Sequence, residues 1–262
     1  MPLGTVVLTG AAGRIGSRLR EPLHAAAGRL VSVDRADLPP GPGDETHVAD
    51  LADTATVAGL IGGADAVVHL AGVPDEAPLE DLVAGNVLGT HHVLEAARRT
   101  GVPRVVIASS NRLTGFHPMS QTLDATALPR PDGLYGASKV AVEALGSLYA
   151  DKFGLDVVCL RIGTFEPEPS EPRSLATWLS PRDCAGFVIA ALTVPSPGFL
   201  VSYAVSANAR SFWKVSEELG YRPQDDAETY AGHFPGADAY FAAPRPQGDT
   251  LASPEFTLPH LR

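Results

Sequence analysis

Short apolar runs and longer amphipathic stretches take turns along most of this chain. Thr5–Leu8, Arg29–Val33, His47–Ala49, Ala66–Leu70, Arg104–Ala108 and Val157–Leu160 are brief and rich in β-branched or aliphatic side chains. Such runs read as strands buried on both faces. Between them the spacing predicts helices over 14–27, 54–61, 82–99 and 136–152. Alternation of this kind predicts an α/β fold, a Rossmann-type doubly wound parallel sheet with helices on both faces. Residues 35–45, rich in Pro and Gly, predict a surface loop. The stretch 163–180, with Pro167, Pro169 and Pro172, predicts an irregular segment of the kind that selects substrates. Beyond it the pattern predicts a helix over 183–192, a strand over 199–205 and a helix over 211–219, then short helices and loops.

Composition narrows the function classes. At 262 residues with 45% hydrophobic and 19% charged side chains, the chain has material for a sizeable core. The net charge of −10 and the lack of a basic run argue against nucleic-acid binding. No apolar stretch reaches membrane-spanning length, and the chain opens into a strand without a signal-peptide pattern. Cys159 and Cys184 offer neither a disulfide framework nor a metal spacing, which suits the cytoplasm. His91 and His92 read as helix face with no third ligand at a telling spacing, and His69 as a core histidine, so no metal site is expected.

The first strand runs into Gly10-Ala-Ala-Gly13-Arg14-Ile15-Gly16 and then a helix. Glycines there let the backbone approach a pyrophosphate at the helix N-terminus. Asp34, ending the second strand, stands near the position where a carboxylate receives an adenosine ribose and repels a 2′-phosphate. That favours NAD over NADP, with Arg35 the neighbouring cation that can accommodate the phosphate. Asp50, before Leu51, is placed to cap the helix at 54 or to face the adenine. Leu70, Ala71 and Gly72, at the end of the fourth strand, face the same crevice.

Downstream, Ser110 ends a strand, and Tyr135 and Lys139 are four apart, one above the other on a helix face. An ammonium beside a phenol favours phenolate, which makes Tyr135 a candidate general base for an alcohol proton. Ser110 is placed to hydrogen-bond the reacting oxygen.

These motifs, with Asp50-Leu51, His69-Leu-Ala-Gly72, Asn86 and Tyr135-Gly-Ala-Ser-Lys139, resemble the extended short-chain dehydrogenase/reductase family through about residue 165. Within it, Ala108-Ser-Ser-Asn111, Arg130-Pro-Asp-Gly-Leu-Tyr-Gly136, Arg161-Ile-Gly163, Pro167-Glu-Pro169 and Thr177-Trp178 resemble the uronate dehydrogenases. The resemblance implies NAD-dependent oxidation of the anomeric hydroxyl of a hexuronic acid to an aldarolactone. It implies Tyr135 as base, Lys139 as its tuner and holder of the nicotinamide ribose, and Asn86 and Ile162 among the cofactor contacts. Ser110 and Asn111 would face the sugar, and Arg173 would pair with its carboxylate.

Three pocket positions depart from that pattern: Pro74 and Thr164 stand where serines are usual, and Arg112 where a histidine is. Arg112 therefore offers a second cation to an acidic sugar. The resemblance divides the chain into a cofactor-binding core, 1–165, and a small substrate-covering region, 166–262, partly returning to the core within one structural unit. A homo-oligomer is expected, through the helices at 82–99 and 136–152. The alternatives are a dehydrogenase for another acidic sugar or small hydroxy compound, an epimerase or dehydratase with retained NAD, and a non-catalytic NAD-binding protein.

Overall fold

The structure, a computed structural model, describes residues 3–41 and 43–261. Strand β1 (Leu3–Thr9) leads into helix α1 (Gly16–Ala26), β2 (Ala27–Asp34), β3 (Asp44–Val48), α2 (Thr54–Ile61) and β4 (Ala66–His69). Then come α3 (Leu79–Leu82), a π-type turn (Val83–Leu88), α4 (Gly89–Thr100) and β5 (Arg104–Ser110). The second half holds α5 (Leu134–Phe153), β6 (Asp156–Ile162), β7 (Thr164–Phe165), α6 (Ser174–Thr177) and β8 (Trp178–Leu179). It continues through α7 (Pro181–Thr193) and β9 (Phe199–Ala204) to α8 (Ala237–Ala242) and α9 (Pro254–Thr257), with 3-10 turns between.

The main sheet has the order β3-β2-β1-β4-β5-β6-β9, every pair parallel. The chain builds outward from β1 to β3, then returns to build the other half from β4. The crevice at the carboxyl ends of β1 and β4 is therefore where ligands of such sheets bind. Strand alternation sorts the core into two layers. Val6 and Leu8 pack with Leu19, Leu23 and Phe187 under α1 and α7. Val7 packs with Val57, Leu94, Val142 and Tyr149 under α2, α4 and α5.

Local chemistry explains several element ends. Asp53 accepts from Thr56 N at 3.1 Å and caps α2. Asp50, expected as a candidate cap, instead closes a turn onto Ala52 N at 2.9 Å. Gly101 and Gly154, at φ 76° and 72°, end α4 and α5 in the left-handed conformation that glycine adopts without strain.

Three expectations are corrected. The helix at 82–99 starts at Leu79 and is interrupted by the π-type turn, which turns Asn86 fully inward. The third strand spans Asp44–Val48, earlier than 47–49. Residues 211–219 are not a helix beyond the 3-10 turn Glu217–Leu219. There Phe212 O accepts from Leu123 N at 2.9 Å and Lys214 N donates to Leu123 O at 2.8 Å, while Trp213 stacks on Tyr203 with centroids 5.3 Å apart. Two consecutive buried aromatics held by backbone pairing override the helical pattern.

Candidate active site

The glycine loop is shaped by close approach. Gly10 has φ +74°, and a Cβ on it would lie 2.6 Å from Ala71 N, so the ends of β1 and β4 touch there. A Cβ on Gly16 would run into the Gly10 carbonyl. Gly13 differs: only Gly10 O, at 3.2 Å, lies near its missing Cβ, and Ala12, Gly13 and Arg14 are exposed. Helix α1 begins behind Ile15 without a side-chain cap, so its positive dipole end lies at the loop, where Ser17 N is already bonded to Gly13 O at 3.0 Å. An open glycine at an uncapped helix start fits a pyrophosphate. Arg14 leans across the loop, donating from Nη2 to Phe165 O at 2.7 Å.

Asp34 sits beside the loop, accepting Ala12 N at 2.9 Å on Oδ2 and Ala36 N at 3.0 Å on Oδ1. Each oxygen keeps a lone pair for a ribose hydroxyl. Asp50 is exposed beyond it, and Leu51 is held from behind by His92 Nδ1, 2.8 Å from its carbonyl. Leu70 and Ala71 are half-buried and Gly72 exposed on the crevice floor. Asn86, expected among the cofactor contacts, spends its side chain inside the protein. Its Oδ1 accepts Val73 N at 2.8 Å and its Nδ2 donates to Ser138 Oγ at 3.0 Å, which fixes the Gly72–Val73 turn against α5.

At the carboxyl end of β5, Ser110, Tyr135 and Lys139 come together. Glu76 accepts the amides of Leu134 (2.8 Å) and Tyr135 (3.2 Å), holding the first turn of α5. Lys139, one turn on, donates to Ala108 O at 2.9 Å, and its Nζ lies 5.6 Å from the Tyr135 ring centroid. Asn111 Nδ2 donates to the carbonyl of Ile162 at 2.8 Å, tying β5 to β6.

The electrostatics reverse one expectation. Burial pushes the Tyr135 phenol up to about 12; the Ser110 hydroxyl and the Arg112 charge oppose this, and Asp75 and Asp132 add to it. Lys139, equally enclosed, is pulled down to about 8 by burial. Helical spacing set the two side chains together but carried no information about their desolvation.

Arg173 precedes α6 and is 5% exposed. Its Nε donates to Gln247 O at 2.7 Å, and its Nη1 reaches Thr164 Oγ1 at 3.4 Å. Its Nη2 is buried with no hydrogen-bond partner among the described residues. Burial lowers the Arg173 pKa, with the Glu171 and Asp132 charges working the other way. A buried guanidinium with an unused amino group calls for an anion. Thr164 Oγ1 pairs with Thr177 Oγ1 at 2.8 Å, and Pro74 is exposed at the rim.

Arg112, expected to face the sugar, is turned away from that task. Each of its three nitrogens donates to a carboxylate: Asp132 and Asp75 at 2.8 Å and Glu76 at 3.2 Å. Glu76 and Gln247 had no signal in the sequence, because each acts through partners distant along the chain, and Asp132 stood within the Arg130–Gly136 motif without any sign of its pairing with Arg112. His69 is a core residue as expected, between Thr9 Oγ1 at 2.8 Å and Thr90 Oγ1 at 3.1 Å. Among the described residues no three His, Cys, Asp or Glu gather as a metal site.

Residues 6–182 match the pattern that defines the NAD dependent epimerase/dehydratase family. The chain belongs to this family. In this epimerase/dehydratase family chain, the matched stretch carries the glycine loop, Asp34, Ser110, Tyr135, Lys139 and Arg173, and stops short of Gln247. A uronate dehydrogenase of Pseudomonas syringae pv. tomato is 41% identical over 233 residues, covering 87% of this chain and 85% of its own. The crystal structure of uronate dehydrogenase from Agrobacterium tumefaciens matches at TM-score 0.89 and 37% identity, covering 98% of this chain and 100% of that one. A tyrosine-to-alanine variant of the Agrobacterium enzyme, complexed with NAD, matches at TM-score 0.88 and 37% identity, covering 97% and 99% of the two chains.

Proposed function

We propose that this protein is an NAD-dependent dehydrogenase that oxidises the anomeric hydroxyl of a hexuronic acid, such as galacturonate or glucuronate, to an aldarolactone. The observation that carries the substrate class is the buried Arg173 with its unpaired Nη2. A planar fork with a free amino group suits a carboxylate, taken bidentate with Nη1, whose only other bond among the described residues is the long one to Thr164. The relatives act on uronates, as their names state.

Gly10–Gly16 would hold the pyrophosphate, and Asp34 the adenosine ribose, favouring NAD over NADP. Asp50, Leu51, Leu70, Ala71, Gly72 and Ile162 would line the rest of the cofactor's path. When bound, NAD supplies the hydride-accepting chemistry. Tyr135 takes the proton of the anomeric hydroxyl, Ser110 steadies that oxygen as its bond to carbon becomes double, and Asn111 faces the ring hydroxyls. Lys139 holds the nicotinamide ribose and keeps a positive charge one turn from the phenol. Arg173, by fixing the carboxylate, sets the anomeric carbon against Tyr135, and orientation of this kind carries much of the rate. The segments from 166 onward cover the sugar.

Two further readings accompany this one. Val83, Leu88, Leu148 and Phe153 are exposed on the α4–α5 side, which supports a homo-oligomer formed there. Cys159 and Cys184 are buried and unpaired, which supports a cytoplasmic setting. No helix of the described residues is long and apolar enough to cross a membrane.

The test of function is NADH formation with a panel of sugars. Galacturonate or glucuronate is expected to give steady absorbance of reduced nicotinamide, with galactose and glucose far slower. Active turnover of the neutral sugars at equal efficiency would overturn the acidic-sugar reading.

A further inference from the structure

Arg112 is a buried cation beside the phenol for which the chemistry above has no use. It lies in the turn after β5 and is 6% exposed. Its bonds to Asp75, Glu76 and Asp132 join three segments distant in sequence: the loop after β4, the loop before α5, and its own turn. Its guanidinium carbon stands 5.4 Å from the centroid of the Tyr135 ring and 4.9 Å from that of Phe256 in α9. Glu76, which holds the Leu134 and Tyr135 amides, also accepts the Thr257 hydroxyl at 3.0 Å. One guanidinium thus ties the first turn of α5 and the C-terminal helix to the face of the phenol.

We propose that Arg112 is a positioning residue for Tyr135, a fixed charge stacked on the phenol that holds the ring in place and favours loss of its proton. The proposal rests on the dehydrogenase reading, since it gives Arg112 a part in that proton transfer. The alternative use of Arg112, as a second site for a substrate anion, is closed by its three carboxylate partners.

The charged and polar groups around the phenol come from every neighbouring segment. Ser110 faces it from β5, and Arg112 from the turn that follows. Asp75 and Asp132 add their charges from the loops after β4 and before α5, and Glu76 binds the Tyr135 amide. Lys139 lies one turn along α5, with Nζ given to Ala108 O. Ser110 and Arg112 favour the ionised phenol, and Asp75 and Asp132 oppose it. Arg112 and Lys139 stand at similar distances from the Tyr135 ring centroid, 5.4 and 5.6 Å, and Lys139 gives its Nζ to the Ala108 carbonyl.

The test is the pH profile of kcat for NADH formation in Arg112→Gln, Arg112→Lys and Asp75→Asn. Arg112→Gln is expected to move the alkaline rise upward by about one pH unit, with the sugar KM changed less than about threefold. Arg112→Lys keeps the charge and is expected to hold the profile in place at a lower rate. Asp75→Asn removes an opposing charge from a side chain 67% exposed, where folding is not at stake, and is expected to move the rise downward. A folded Arg112→Gln enzyme with the parent profile overturns the proposal. Should that variant fail to fold, an unmoved profile in Asp75→Asn overturns it instead. If the parent protein makes no NADH from any sugar, the dehydrogenase reading is what fails. The positional claim is then read from alkaline tyrosinate absorbance, parent minus Tyr135→Phe, whose onset must move up in Arg112→Gln and down in Asp75→Asn.

Discussion

Replacing Arg173 with Met keeps much of the side chain's length and removes its charge and its fork. In the structure Arg173 is almost wholly enclosed, so its pairing with a carboxylate would escape the solvent screening that weakens surface ion pairs. Among the described residues Nη2 has no partner, and Nη1 has only the 3.4 Å approach to Thr164. Two charge-assisted hydrogen bonds at about 1.5–3 kcal/mol each set an upper range of about 3–6 kcal/mol. Truncating one partner of a buried charge pair removes about 2–5 kcal/mol. A loss of about 3–4 kcal/mol lowers kcat/KM for galacturonate roughly 10²–10³-fold. The contact exists before and during the reaction, so the loss falls mainly on KM. Arg173→Lys retains a point charge and is expected to lose about tenfold. The Nε bond to Gln247 O also disappears, which lowers stability by about 1 kcal/mol and is read separately by thermal melting. Steady-state kinetics on galacturonate and galactose, with melting curves for each variant, give the answer. An Arg173→Met enzyme that keeps galacturonate kcat/KM within about threefold of the parent would refute the carboxylate assignment.

Three other outcomes follow from the geometry. His69, lowered to about 3 from an ordinary 6.5 by burial and next by the Lys139 charge, stays neutral in the fold while the unfolded imidazole takes up a proton. Stability is thus complete above pH 6.5 and falls as pH drops toward 3, by up to about 4–5 kcal/mol. Denaturant melts of parent and His69→Gln across that window are expected to diverge from each other, and parallel curves would contradict this. Gly13→Ala, whose added Cβ would lie 3.2 Å from Gly10 O, is expected to fold with little loss of stability and to bind NAD about 10²-fold more weakly by calorimetry. Gly16→Val drives into the Gly10 carbonyl and is expected to lose more than about 2 kcal/mol of stability, so equal melting of the two variants would count against the loop's description.

The sheet was legible because parallel strands buried on both faces read as unbroken apolar runs, as in β4, β5 and β6. The glycine loop and the Tyr135–Lys139 pair were legible because their geometry is local: a strand-to-helix turn and one turn of helix. What sequence could not carry was long-range. The fate of 211–219 turns on pairing with Leu123, almost ninety positions earlier. Arg112 presents the same difficulty in charge: its partners lie 37, 36 and 20 residues away, and nothing local distinguishes a guanidinium bound to three carboxylates from one waiting for a ligand. The sign of the Tyr135 shift likewise depends on enclosure by several segments, a property of the assembled fold.

Turnover in this reading depends on proton removal by Tyr135 beside Ser110 and Lys139. Its most direct test is NADH formation from saturating galacturonate and NAD by the parent protein and by Tyr135→Phe, with melting curves and NAD binding measured on both. Turnover by the parent, and a drop of about 10²–10⁴-fold in kcat for a phenylalanine variant that still folds and binds NAD, is the predicted result. A folded, NAD-binding Tyr135→Phe enzyme that turns over like the parent would contradict it.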